Sequence, residues 1–287
     1  LRGKARAAIY GLERISAMSE LPFAATTPAS VARVGLKVRD AAGLAAYYRD
    51  VVGLEELTRD GETITLGAAG RPLLVLEQDA AAKPDDPRAA GLFHTAFLLP
   101  ARADLGRWIG HAMEKKLPID GASDHIVSEA LYLTDPEGNG IEIYADRPHE
   151  EWRWTDGNVV MATERLDVRS VLDAAGGDSR WRGAPQNTTV GHVHLRVGRP
   201  ADAERWWARN FGFDTAAWYG DAAVFLSSGG YHHHIGANAW RSLGAGRRDE
   251  TRAGLSWVEM RSSLVEGASE LEDPWGTKIR VVPGRPA

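Results

Sequence analysis

One pattern recurs along this chain, and whatever it folds into must accommodate the recurrence: a strand, a helix, then further strands that close on a tight turn. The opening is clearest at Val34 to Leu54. There VGLKV leads through Asp40 into a helical stripe of Leu44, Tyr47, Tyr48 and Val51, which stops at Gly53. FHTAFLLP from Phe93 runs into a stripe of Leu105, Trp108, Ile109, Ala112 and Met113. VHLRVGRP from Val193 precedes Ala203, Trp206, Trp207 and Phe211 and ends at Gly212. The closing hairpin repeats as well: Asp135-Pro136-Glu137-Gly138 leads into GIEIYAD, and Asp273-Pro274-Trp275-Gly276 into KIRVVP. In such turns proline fixes φ and glycine accepts positive φ.

The repeated unit is βαβββ, with copies at about 31–78, 91–147, 188–240 and 253–284; the fourth is short, and RSSLVEGASE shows no helical stripe. A βαβββ unit leaves one face of a curved sheet unburied, so two units must pair around a cavity. The expected fold class is therefore α+β, with four βαβββ modules pairing into two half-barrel domains. Residues 1–30 read as an N-terminal extension, 31–147 as modules one and two, 148–187 as a polar connector, and 188–287 as modules three and four.

Composition narrows the chemistry. With 287 residues there is length for two cores, and a net charge of -5 gives no basic surface for nucleic acid. No run of about twenty apolar residues reads as a membrane span or leader. Cysteine is absent, so any metal must be held by imidazole and carboxylate. The missing thiols fit a cytoplasmic protein.

GLFHTAFLLPARADLG, SDHIVSEALYLTDPEGNGIEIYADRP, GHVHLRV and GGYHHHIGANAW resemble the vicinal oxygen chelate superfamily, which includes glyoxalases, bleomycin-resistance proteins and extradiol dioxygenases. Within it they look like the catechol 2,3-dioxygenase branch. The resemblance covers nearly everything after residue 30. It implies extradiol cleavage of a catechol-type ring by O₂ at a mononuclear Fe(II), giving a 2-hydroxymuconic semialdehyde-type product; the same ligand types accept Mn(II). The partners are then a small aromatic diol and O₂, with self-association into a homo-oligomer left open. The alternatives are a glyoxalase-like isomerase and a non-catalytic binding protein of the bleomycin-resistance type.

Aligning the repeats on the proline six residues downstream matches His94 of module two to His194 of module three, with Glu142 on the last strand of module two. Modules one and four carry Gly35, Trp257 and Arg280 at the aligned positions. His94, His194 and Glu142 form the expected metal set, a two-histidine, one-carboxylate arrangement suited to Fe(II) and O₂. His192, on the same face, is expected to lie beside the ligands. This set is complete only if module two pairs with module three, leaving modules one and four to close a second barrel without a metal. His125 and Tyr132 precede Glu142 in a manner similar to the extradiol pattern, which implies that both contact substrate oxygens. In the run Tyr231-His232-His233-His234, read as the last strand of module three, alternation puts His232 and His234 on one face and His233 on the other. The resemblance implies that one of the three is the acid/base; His234 is preferred, with His233 and His232 left open.

Overall fold

The computed structural model describes residues 21–284. The expected extension therefore lies outside the described residues up to residue 20; a short 3-10 turn at Phe23–Ala25 follows. Module one comprises β1 (Ala29–Val38), α1 (Ala41–Val51), β2 (Glu55–Asp60), β3 (Thr63–Ala68) and β4 (Arg71–Gln78). Module two comprises β5 (Gly91–Leu98), α2 (Arg102–Lys115), β6 (Gly121–Asp124), β7 (Ser128–Thr134) and β8 (Gly140–Asp146). The connector carries the two-residue strands β9 (Trp154–Thr155), β10 (Asn158–Val159) and β11 (Glu164–Arg165), then α3 (Val168–Ala174). Module three is β12 (Thr189–Arg196), α4 (Pro200–Phe211), β13 (Asp214–Tyr219), β14 (Ala223–Ser227) and β15 (Ile235–Asn238). Module four has β16 (Gly254–Ser262), β17 (Ser269–Glu272) and β18 (Lys278–Pro283), with no helix among its described residues.

Local chemistry sets the helix boundaries. The Asp40 side chain accepts from Gly43 N at 2.8 Å and caps α1. Pro200 opens α4 at its first turn, where a missing N–H costs nothing, and Gly212 closes it at φ 63°. The paired Asp-Pro-x-Gly turns share one device: Asp135 Oδ1 accepts from Glu137 N and Asn139 N, and Asp273 Oδ1 from Trp275 N and Thr277 N.

Two sheets result. One runs β17-β18-β16-β1-β4-β3-β2 and joins modules one and four; the other runs β11-β6-β7-β8-β5-β12-β15-β14-β13 and joins modules two and three. In each complete module the first strand lies parallel to the last, β1 with β4, β5 with β8 and β12 with β15, and first strands pair antiparallel across modules. The fold is thus α+β, with paired modules forming two half-barrels. Most buried apolar side chains from both sheets form one continuous core, and a smaller cluster that includes Leu98, Ala130 and Trp152 lies apart from it. Trp108 Nε1 of α2 donates to Val51 O of α1 at 2.8 Å, and Tyr48 Oη donates to Asp135 Oδ2 at 3.1 Å, tying module one to module two.

The barrel of modules one and four is filled where a ligand set would stand. Trp257 lies over Gly35, where any Cβ would collide with the indole, and Arg280 stacks 4.1 Å from its ring centroid. Trp257 Nε1 donates to Glu77 Oε1 at 2.7 Å.

Candidate active site

β5, β12 and β8 lie side by side at the centre of the nine-stranded sheet, and their alternating residues face one cavity. His94 comes from β5, His192 and His194 from β12, Glu142 from β8 and Tyr132 from β7. The cavity measures about 510 Å³; Phe93, Phe225, Trp240 and Met161 supply apolar wall, and the imidazoles with Glu142 form its polar floor.

Three donor atoms converge on that floor, from His94, His192 and Glu142. Glu142 Oε2 stands 2.9 Å from His94 Nε2 and 3.0 Å from His192 Nε2, and the two imidazole nitrogens are 3.3 Å apart. Those separations approach the edge of an octahedron with metal bonds of about 2.1 Å, roughly 3 Å. Burial pushes the Glu142 carboxyl up, but the charges and hydrogen bonds of His192 and His94 overcome it and hold it well below the usual range. Burial lowers His192 to about 4, against the opposing pull of Glu142. A neutral imidazole beside a carboxylate anion is the ionisation state in which both can ligate.

His194 is not among the converging donors. It pairs with His94 across the strands and lines the cavity between Phe93, Phe225 and Trp240, and its buried Nε2 has no hydrogen-bond partner. The prolines used for alignment explain the difference. Pro100 precedes α2 by two residues, whereas Pro200 is the first residue of α4, so the two are not equivalent. Counted back from the helix starts, Arg102 and Pro200, the matching histidines are His94 and His192. Register shifts between Val190 and His192 and between His194 and Leu195 complete the offset.

His125 and Tyr132 are brought together. His125 Nδ1–H donates to Ala162 O at 2.8 Å, which leaves Nε2 to accept from Tyr132 Oη at 2.6 Å. Burial, then the Glu142 charge, raises the Tyr132 phenol well above its ordinary value, so it stays a neutral donor. Ala162 and its neighbours Met161 and Thr163 belong to the connector and wall the cavity, a contribution that nothing in the composition of residues 148–187 signals.

The histidine run lies in irregular chain just before β15, not in the strand. His234 faces away from the cavity: its Nδ1 accepts from Ser228 N at 3.3 Å and its Nε2–H donates to Ala24 O at 3.0 Å, pinning the 3-10 turn to module three. The preference for His234 as the group facing substrate is therefore corrected; both of its nitrogens are occupied by backbone. His233 lines the cavity instead, with its ring 4.1 Å from that of His192. Burial, then neighbouring imidazoles, hold His233 well below the ordinary histidine range, hence neutral. His232 is fully buried, its Nδ1 2.7 Å from His233 Nδ1 and its Nε2 2.9 Å from Asp146 Oδ1.

Comparison with known proteins agrees with this architecture. Residues 30–143 match the family described as the Glyoxalase/Bleomycin resistance protein/Dioxygenase superfamily. The chain is 42% identical over 215 residues to a Bacillus subtilis protein named catechol-2,3-dioxygenase, covering 74% of this chain and 75% of that one. It is 32% identical over 112 residues to biphenyl-2,3-diol 1,2-dioxygenase 2 of Rhodococcus globerulus, covering 37% of this chain and 53% of that protein. Among solved structures, glyoxalase I from Zea mays superposes with a TM-score of 0.52 at 12% identity, covering 89% of this chain and 92% of that chain. A Bacillus subtilis structure described as a candidate dioxygenase gives 0.57 at 12% identity, covering 91% and 87%; at such identities the likeness speaks for the fold alone. Among the described residues no helix is long and apolar enough to cross a membrane. The family model, the relative matched over three quarters of its length and the paired βαβββ modules together establish that this chain belongs to the glyoxalase/bleomycin resistance/dioxygenase superfamily, also called the vicinal oxygen chelate superfamily.

Proposed function

We propose that the protein cleaves a catechol-type ring beside its diol, consuming O₂ and giving a 2-hydroxymuconic semialdehyde-type product, with Fe(II) held by His94, His192 and Glu142. The observation that carries this reading is the convergence of two imidazoles and one carboxylate on the floor of a cavity that also presents a phenol and a third imidazole. His192 takes the place that the repeat alignment assigned to His194. One carboxylate and two imidazoles suit Fe(II), and Mn(II) equally; the bound ion supplies chelation of both diol oxygens and a site for O₂.

The chain's own groups do the rest. Tyr132, hydrogen-bonded to His125, offers its oxygen to the diol, and Ala162 O fixes the His125 tautomer so that this pair keeps one orientation. His233, neutral and facing the cavity, accepts the proton released as the diol binds and returns it as the ring opens. Phe93, Phe225 and Trp240 hold the ring and keep water from the floor. A glyoxalase-like isomerase is less well supported, because the converging donors among the described residues include a single carboxylate. The test is O₂ uptake with catechol by protein of measured iron content. Ring cleavage proportional to iron supports the proposal; protein that holds one iron per chain yet consumes no O₂ with any catechol contradicts it.

A further inference from the structure

One face of β8 does more than supply a metal ligand. Glu142, Tyr144 and Asp146 alternate along the strand and so point the same way. Glu142 reaches His94 and His192, Tyr144 Oη meets Tyr231 Oη at 2.8 Å, and Asp146 Oδ1 receives both Tyr231 Oη at 3.3 Å and His232 Nε2 at 2.9 Å. His232 is wedged with its ring 4.1 Å from Tyr231 and 5.1 Å from Trp152, which leaves it no freedom to turn away. Its other nitrogen, Nδ1, lies 2.7 Å from Nδ1 of His233. Two imidazole nitrogens at that distance need one proton between them, and one ring must donate while the other accepts.

We propose that Asp146 is a positioning residue which, acting through His232, decides that His233 carries its proton on Nδ1 and presents a bare Nε2 as the base. The argument is one of tautomers. A carboxylate can only accept, so a His232 ring with one proton carries it on Nε2 and has a lone pair on Nδ1. That lone pair accepts from His233 Nδ1–H. The neutral His233 ring has no second proton, so its Nε2 is left as an acceptor. Histidine roles in catalysis are set in this way, by the hydrogen bond that the other ring nitrogen makes. Asp146 and Glu142 share a strand, so the register that aims the metal ligand also aims the group that orients the base.

The inference rests on the ring-cleaving reading for its kinetic consequence but not for its spectroscopic one, and the experiment uses both. Imidazole ¹⁵N spectra of the full chain loaded with Zn(II) as a diamagnetic probe, assigned with His233→Gln, report the tautomer whether or not the protein turns over catechol. The expected spectrum has a protonated Nδ1 and an unprotonated Nε2 on His233, with proton density moving to Nε2 in Asp146→Ala. In iron-loaded protein, Asp146→Ala should lower kcat for catechol by about 10- to 10³-fold with KM and iron content unchanged, and Asp146→Glu should restore most of the loss. His232→Asn keeps an acceptor beside His233 but severs the link to Asp146, so adding Asp146→Ala in that background should cost nothing more. A wild-type spectrum with the proton on His233 Nε2 would overturn the assignment, and would do so even if Asp146→Ala failed to fold. So would an equal kcat loss from Asp146→Ala with and without His232→Asn. A correct tautomer in a protein inert toward catechol would instead sink the ring-cleaving reading and leave the orientation standing.

Discussion

At the scale of single residues, the site separates histidines that the sequence presents as equals. His232, His233 and His234 are consecutive, yet one faces a carboxylate, one the cavity and one the backbone of the N-terminal segment. The last has a measurable signature. Burial first of all pushes His234 down to about 3, below the ordinary value of 6.5. The unfolded chain therefore takes up a proton that the folded one refuses. This contribution to stability is fully present above about pH 6.5 and is lost as pH falls toward 3, at about 1.4 kcal/mol per pH unit. His234→Gln keeps a donor for Ala24 O without the titration, so urea unfolding between about pH 6 and 4.5 should show a shallower loss of stability than wild type; equal slopes would contradict this role. Tyr132 makes a second case. Tyr132→Phe removes the oxygen that His125 engages while leaving all three metal donors, so iron content should hold and kcat fall by about 10- to 10³-fold. Lost iron in that variant would place the phenol among the ligands.

At the scale of elements, what could be read in advance was whatever has a local cause. Helix stripes, the Asp40 cap, the stops at Gly53 and Gly212 and the two Asp-Pro-x-Gly turns all depend on neighbours within a few residues, and the helices and turns stand where those signals lie. The choice between His192 and His194 depended on how two strands register, and the proline used as a ruler occupies different positions relative to α2 and α4. Helix starts were the better ruler. The connector's part in the cavity was not legible at all, because Met161 and Ala162 reach the site through a path that no short-range pattern records. The turn before β8 yields its own prediction. Asp135 accepts from Glu137 N, Asn139 N, Asn139 Nδ2 and Tyr48 Oη. Asp135→Ala strands several buried donors and should cost about 2 to 4 kcal/mol in denaturant unfolding, with Asp135→Asn losing less. A loss below about 0.5 kcal/mol would mean that the turn holds without its aspartate.

At the scale of the whole molecule, the division of labour lies between two barrels of similar pattern and opposite content. One is closed by Trp257 packed on Gly35 and flanked by Arg280; the other keeps its floor polar and open to a cavity. Modules two and three are contributed from either side of a long connector, and the antiparallel pairing of β5 with β12 brings His94 and His192 within 3.3 Å although 98 residues separate them. The central claim is that these two histidines and Glu142 share one ion while His194 does not take part. Anaerobic Fe(II) titration of the wild type, His192→Ala and His194→Ala tests it most directly. The account predicts one tight site per chain in the wild type and in His194→Ala, and none in His192→Ala; tight stoichiometric iron in His192→Ala, with its loss in His194→Ala, would contradict it.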